Sequence, residues 1–148
     1  MRQIKYIVLH TTASKLGTDH RNIIKYFIDQ HNFRTPRPPY HFMIGQYGQV
    51  WECSPIDNIT YGVANKNRNS IHIATIGGLI SDDRTSFQNR ELARLLLRLN
   101  KKFPDAQILG HRDFPNVRKS CPRYDAKAFW DQVLLINDIQ KFKKNETN

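Results

Sequence analysis

An apolar run near the N-terminus that leads straight into a histidine places the strongest constraint on the fold. Residues 4–9 read IKYIVL, His10 follows, and a polar loop opens at Thr11. A short run of this kind, bounded by polar residues, predicts a buried strand with His10 at its end. A second run, SIHIATIGG at 70–78, predicts a central strand that ends in a glycine pair. The chain must therefore be organised around a sheet.

Helical patterns separate these predicted strands. The spacing of apolar residues predicts helices over about 19–31, over about 86–102 and from about 126 onward. Each follows a residue that can cap a helix N-terminus. The clearest case is Thr85, which has Gln88 three residues later and so matches a capping box.

Shorter strands complete the predicted sheet. The prolines of TPRPP (35–39) end any helix and lead into YHFMIG (40–45). A turn between Gly45 and Gly48 then joins that run to QVWEC, which gives a hairpin, and AQIL (106–109) predicts a last strand. This mixture of a hairpin with strand–helix–strand units predicts an α/β fold, with a central mixed β-sheet flanked by helices.

Length and charge bound the possible functions. The chain has 148 residues, the size of one domain, and we expect that domain over 1–138 and a basic tail over 139–148, of which KFKKNETN (141–148) should be frayed. The 23 Lys and Arg residues outnumber the 13 Asp and Glu residues and give a net charge of +10. This charge favours an anionic partner such as nucleic acid, an acidic membrane or an acidic cell-wall polymer. Charge alone does not choose among them.

The two cysteines and the N-terminus bear on the compartment. Cys53 falls in a strand-like run and Cys121 in a polar loop, which argues against a disulfide scaffold. We interpret Cys53 as a small buried hydrophobe. The N-terminal apolar run is too short for the core of a signal peptide or for a membrane span. We therefore expect cytoplasmic synthesis without a signal peptide, and no insertion into a membrane.

The segment HRDFPNVRKSCP (111–122) carries an imidazole, an ammonium group and a thiol on one short loop. His10 and His111 each follow an apolar strand, at the carboxyl edge where open α/β sheets usually place their sites. Two neutral imidazoles and the Cys121 thiolate would form a three-ligand set typical of catalytic zinc, which leaves a fourth position for water. Lys119 precedes the thiol by two residues and could reach a group held by the metal. Taken on spacing alone, ordinary surface or core histidines remain the alternative.

Four segments in a fixed order resemble a known family. They are IVLHTTAS at 7–14, PYHFMIG at 39–45, NSIHIATIGG at 69–78 and ILGHRDFPNVRKSCP at 108–122. Over about residues 4–135, the chain resembles the type-2 N-acetylmuramoyl-L-alanine amidases, zinc amidases that include phage lysins and the peptidoglycan recognition proteins. The resemblance implies the amidase form of the α/β fold over 1–138. It also implies hydrolysis of the amide bond between N-acetylmuramic acid and L-alanine in bacterial peptidoglycan.

The resemblance also implies roles for individual residues. It implies that Zn2+ is bound by His10, His111 and Cys121, and that Tyr40 and Lys119 assist catalysis. Strand alternation should turn His41 away from Tyr40, so we interpret His41 as structural and not as a fourth ligand.

Two further residues are candidates for substrate binding. Thr12, near His10, could line the substrate groove, although a loop threonine is more often a turn residue. Many relatives carry a histidine in the loop where this chain reads YGVANKN, and a glycine and an acidic residue at the positions of His72 and Ala74. His72 could reach into the groove left by that missing histidine. A packed or surface histidine is the alternative.

Three functions compete at this point. The leading hypothesis is a zinc-dependent amidase, acting as a monomer on the cell wall after release, as a phage or prophage lysin does. The alternative is a peptidoglycan-binding recognition module without catalysis; family members of that kind typically lack the third ligand, which Cys121 supplies here. A nucleic-acid-binding protein rests on the charge alone, and the sequence offers no recognition motif for one.

Overall fold

A computed structural model describes residues 1–32 and 35–147 of the chain. The described residues form five strands and three α-helices. The strands are β1 (Tyr6–Thr11), β2 (Phe42–Ile44), β3 (Val50–Glu52), β4 (Ser70–Thr75) and β5 (Gln107–Gly110). The helices are α1 (His20–Gln30), α2 (Ser86–Lys102) and α3 (Ala126–Glu146).

The strands form one mixed sheet in the order β3-β2-β4-β1-β5. β2, β4, β1 and β5 run parallel, and β3 closes the hairpin antiparallel to β2. The predicted central strand β4 does lie in the middle. Leu9 pairs with Gly110 across β1 and β5, so the residues that follow them, His10 and His111, lie side by side near the carboxyl ends of the two strands.

Residue alternation along β1 divides its side chains between two apolar layers. Ile7 and Leu9 pack with α2 and α3 on one face, while Val8 packs with Val63 and Leu109 on the other. His10 lies two residues after Val8 in the same strand, so its side chain points to the same face, away from α2 and α3. Full burial of an isoleucine or leucine contributes roughly 1.5–3 kcal/mol, so this alternation fixes which face carries His10.

The predicted capping box begins α2 and ties it to the sheet. The Thr85 hydroxyl accepts the Gln88 backbone N–H at 3.1 Å, and the Gln88 side-chain oxygen accepts the Thr85 N–H at 3.0 Å. The fully buried Gln88 amide also donates to the carbonyls of Ile44 and Ile76 at 3.1 and 2.8 Å. The helix then buries its predicted leucines against the sheet, namely Leu92, Leu95, Leu96 and Leu99.

The end of α3 departs from the sequence prediction. The segment expected to be frayed, 141–148, is helical as far as Glu146. No glycine or proline interrupts residues 126–146, and Lys143 and Lys144 in the last turn complement the negative end of the helix dipole. Among the described helices, including this one of 21 residues, none is both long and apolar enough to cross a membrane.

Candidate metal centre

The parallel pairing of β1 and β5 brings two histidines together. His10 lies one residue beyond Leu9, and His111 lies one residue beyond its partner Gly110. Their ring centroids are 5.0 Å apart. His10 is 2 % exposed within β1, whereas His111 opens a short 3-10 turn over His111–Asp113 and is half-buried. The sheet register thus delivers both imidazoles to one point on its edge.

The loop after His111 returns the thiol to the same point. The Arg112 backbone N–H donates to the Cys121 carbonyl at 2.7 Å, which closes the loop. The Thr11 N–H donates to Cys121 Sγ at 3.4 Å, and that sulfur lies 3.7 Å from His10 Nδ1. Gly110 permits this return, since a Cβ there would lie 2.6 Å from Pro122 Cδ.

His10, His111 and Cys121 form a compact set of potential metal ligands. One ligand atom from each residue lies within 4.8 Å of the other two. Two imidazole nitrogens and one sulfur suit Zn2+, whereas Mg2+ and Ca2+ prefer oxygen ligands. The residues present therefore fit the ion that the resemblance implies.

Burial sets the protonation of the two imidazoles. It holds the pKa of His10 well below its usual value, with the charges of neighbouring His72, His111 and Lys119 acting in the same direction. Burial, followed by the Lys119 charge, lowers the pKa of His111 to about 4. Both rings are thus neutral near pH 7, the state in which histidine binds metals.

The Cys121 thiol is subject to opposing effects. Burial raises its pKa, while the Thr11 backbone N–H and the charges of Lys119 and Arg123 lower it. A bound cation would shift this balance toward the thiolate, because a coordinating thiol is deprotonated by the metal.

Tyr40 and Lys119 stand beside this set. The Tyr40 ring lies 5.1 Å from the His10 ring, and burial raises the pKa of its hydroxyl, which therefore remains a hydrogen-bond donor. Lys119 is exposed on the loop, and its charge acts on both His10 and His111. The structure thus places both predicted catalytic residues next to the potential ligands.

All five residues line one cleft of about 1030 Å3. Thr12 lines it as well, and its hydroxyl accepts the Gly77 N–H at 3.0 Å and contacts the Ser14 hydroxyl at 2.7 Å. Most of the wall comes from two loops, 61–67 and 115–121, and Phe27, His31 and Pro39 contribute as well. Thr12 is therefore on the surface that a substrate in this cleft would meet.

The position of His72 corrects its predicted contact with substrate. The ring is fully buried and is not part of the cleft wall. It lies beneath His10, with His72 Nδ1 3.0 Å from His10 Nε2. The alternative prediction, a packed histidine within the strand, is the one observed, because the 61–67 loop covers the ring.

His41 and Cys53 lie outside the ligand set. The fully buried His41 ring accepts the His72 backbone N–H at 3.0 Å through Nδ1 and meets the Asn58 carbonyl at 2.9 Å through Nε2. Cys53 is half-buried beside Met43 and Trp51, and burial raises its pKa to about 11.

Asn67 is a site residue that the sequence did not indicate. Its side-chain oxygen accepts the backbone N–H groups of Gly62 and Val63 at 3.0 and 2.8 Å, and it lies 2.9 Å from His72 Nε2. An asparagine in a polar loop is typical of a turn, so its residue type carried no signal of this contact.

Comparison with known proteins agrees with this fold. Solved structures similar to this chain include the Ph2119 endolysin of a Thermus scotoductus bacteriophage, with a TM-score of 0.76 at 23% identity over 90% of this chain and 86% of that one. The N-acetylmuramoyl-L-alanine amidase LysC of Clostridium intestinale gives a TM-score of 0.75 at 19% identity over 93% and 87% of the two chains. Apis mellifera PGRP-SA gives 0.70 at 20% identity over 90% and 83%. These likenesses show the fold.

Family membership rests on the sequence itself. The family model described as N-acetylmuramoyl-L-alanine amidase matches residues 1–124, a span that contains every potential ligand and both predicted catalytic residues. The chain therefore belongs to the type-2 N-acetylmuramoyl-L-alanine amidase family.

Proposed function

We propose that this protein is a zinc-dependent hydrolase that cleaves the amide bond between N-acetylmuramic acid and L-alanine in peptidoglycan. The observation that supports this most strongly is the convergence of His10, His111 and Cys121 within 4.8 Å at the cleft that Tyr40 and Lys119 also line. Its site of action is the bacterial cell wall.

The chemistry follows from the residues of the cleft. Zn2+, when bound, would supply Lewis acidity toward the amide carbonyl and activate water for attack. The Lys119 ammonium group would stabilise the negative charge that develops on the carbonyl oxygen. The protonated Tyr40 hydroxyl would donate a hydrogen bond to the same oxygen or orient the attacking water.

The composition of the cleft wall favours an amide over a sugar linkage. Glycoside hydrolysis generally requires a pair of carboxylates on either side of the scissile bond. Among the described residues that line the cleft, none is an aspartate or a glutamate. The machinery present is that of a carbonyl reaction.

Digestion of purified peptidoglycan tests the bond that is cut. We expect new α-amino groups of L-alanine from intact glycan strands and no new reducing ends. A chelator should stop the release and added zinc should restore it, because the proposed reaction depends on Zn2+ held by His10, His111 and Cys121. New reducing sugars, or activity that persists after chelation and dialysis, would contradict the proposal.

The same digestion distinguishes the amidase from a second candidate function, a peptidoglycan-binding recognition module without catalysis. PGRP-SA is a solved structure of this fold, and a recognition module would bind muropeptides in the cleft without cleaving them. Firm muropeptide binding with an intact wall would select that function. Zinc-dependent release of L-alanine amino groups would exclude it.

Salt should separate wall binding from cleavage. The net charge of +10 would attract the protein to an anionic wall over long distances. Raising the salt from about 0.1 M to about 1 M shortens the Debye length from about 10 Å to about 3 Å. We therefore expect binding to whole sacculi to weaken much more than cleavage of a small soluble muropeptide. Equal salt sensitivity in the two assays would instead place the electrostatic effect inside the cleft.

A further inference from the structure

A hydrogen-bonded chain of side chains runs from the 61–67 loop to the candidate metal centre. Asn67 Oδ1 lies 2.9 Å from His72 Nε2, and His72 Nδ1 lies 3.0 Å from His10 Nε2. The other nitrogen of His10, Nδ1, faces Cys121 Sγ at 3.7 Å. His10 and His72 are buried, so water does not compete for these contacts.

Asn67 determines which atoms donate and which accept in this series of hydrogen bonds. Its Oδ1 atom meets two backbone N–H groups, those of Gly62 and Val63, and such groups can only donate. The atom is therefore the acceptor oxygen of the amide. His72 Nε2 must then carry a proton and donate it to this oxygen.

The remaining protons follow from the valence of imidazole. The His72 ring is fully buried, its nitrogens contact Asn67 and His10, and it stacks on the His41 ring at 6.0 Å. None of these partners is a carboxylate, so the neutral ring is favoured. A neutral ring with its proton on Nε2 has a lone pair on Nδ1. His10 Nε2 must donate to that lone pair, which leaves the lone pair of His10 on Nδ1, directed at the sulfur of Cys121.

The shape of the loop provides independent support. A Cβ at Gly62 would lie 2.4 Å from His72 Nδ1 and 2.5 Å from its Cγ. No side chain larger than hydrogen fits between the loop backbone and the ring. Gly62 and Asn67 thus enclose the ring of His72, one by close packing and the other by a hydrogen bond.

We propose that His72, held by Asn67 and Gly62, is a positioning residue that fixes His10 in the tautomer whose Nδ1 binds zinc. This inference rests on the proposed function for the identity of the metal, and it gives His72 no contact with metal or substrate. Without His72, the His10 ring is free to carry its proton on either nitrogen, and its Nε2–H would be buried without a partner. Partners of this kind typically change metal affinity by about 10–100-fold when removed.

The metal-free wild-type protein provides the first test and requires no variant. A two-bond 1H–15N NMR spectrum of the histidine rings should show the proton of His10 on Nε2 and the proton of His72 on Nε2. A proton on His10 Nδ1 instead would overturn the proposal. This readout does not depend on zinc, on activity or on the stability of any mutant.

Zinc affinity in the full chain provides the second test, measured by competition with a chromogenic chelator. His72→Leu should bind zinc about 10–100-fold more weakly than wild type. His72→Gln, whose side-chain oxygen can accept the His10 proton, should bind more tightly than His72→Leu. The control His20→Leu removes a histidine that stacks on Trp51 and is not part of the hydrogen-bonded series Asn67–His72–His10. It should leave zinc affinity unchanged. Unchanged affinity in His72→Leu would overturn the proposal.

Gly62→Ala tests whether the position of His72 affects zinc binding, without replacing any histidine. The added methyl group should displace the His72 ring and weaken zinc binding within the same 10–100-fold range. The double variant Gly62→Ala/His72→Leu should lose no more affinity than His72→Leu alone, since both changes act through one contact. Full additivity would contradict the mechanism. If the wild-type protein is an amidase but these substitutions leave its zinc affinity unchanged, only the positioning role is refuted. If the substitutions weaken zinc binding but the wild-type protein has no amidase activity, only the proposed function is refuted.

Discussion

Cys121→Ser is expected to lose bound zinc and to reduce peptidoglycan hydrolysis by about 10³-fold or more, since metal catalysis supplies several kcal/mol of charge stabilisation. Cys121 is the only sulfur in the set, and a serine hydroxyl stays protonated near neutrality and is a poor zinc ligand. Elemental analysis should find one zinc per wild-type chain and much less in the variant. Turnover is measured on the same preparations.

Cys53→Ser is the matched control for this prediction. It makes the same chemical change at a half-buried cysteine that packs beside Met43 and Trp51, outside the ligand set. It should retain stoichiometric zinc and turnover. Stoichiometric zinc with full activity in Cys121→Ser would show that the ligand assignment is wrong.

The pairing of His10 with His111 was accessible from the sequence for a simple reason. Each histidine follows a short apolar run, and parallel strands carry their carboxyl ends to one edge of a sheet. The prediction was that both histidines lie at that edge, and the observed pairing of Leu9 with Gly110 further places them side by side. The capping box at Thr85 was equally readable because its two hydrogen bonds are local in sequence.

The position of the Cys121 thiol beside His10 and His111 could not be obtained from the spacing of these residues in the sequence. It depends on the bond from Arg112 to the Cys121 carbonyl and on the fit of Pro122 against Gly110. Both contacts form only when the loop is already folded. The sequence identified the thiol as a ligand type, while its position came from the family resemblance.

The role of His72 shows where a strand pattern is insufficient. The pairing of His72 with Val8 puts its ring on the same face as His10, and that register is not visible in the sequence. Whether that face meets solvent depends on the loop that covers it, and the loop is held by hydrogen bonds from Asn67 to the backbone of Gly62 and Val63. The strand pattern therefore left substrate contact and packing as alternatives for His72, and the folded loop decides between them.

Lys119→Ala is expected to leave zinc bound while lowering turnover by about 10²-fold or more, the usual effect of removing one group that stabilises an oxyanion. The side chain lines the same cleft as His10 and His111, so its charge can act on a carbonyl oxygen held there. The loss should appear in kcat more than in KM, because the charge it stabilises develops in the transition state. Steady-state kinetics on a soluble muropeptide, with zinc content measured in parallel, separates the two effects.

Lys101→Ala is the control for the change in net charge, because Lys101 is exposed in the last turn of α2 and does not line the cleft. It should leave both kcat and zinc content unchanged. Lys119→Arg retains the positive charge and should fall between wild type and Lys119→Ala, since a guanidinium group has a different shape from an ammonium group. If Lys119→Ala keeps wild-type turnover, Lys119 belongs with the solvated surface charges, and the oxyanion must be stabilised by the metal and Tyr40 without it.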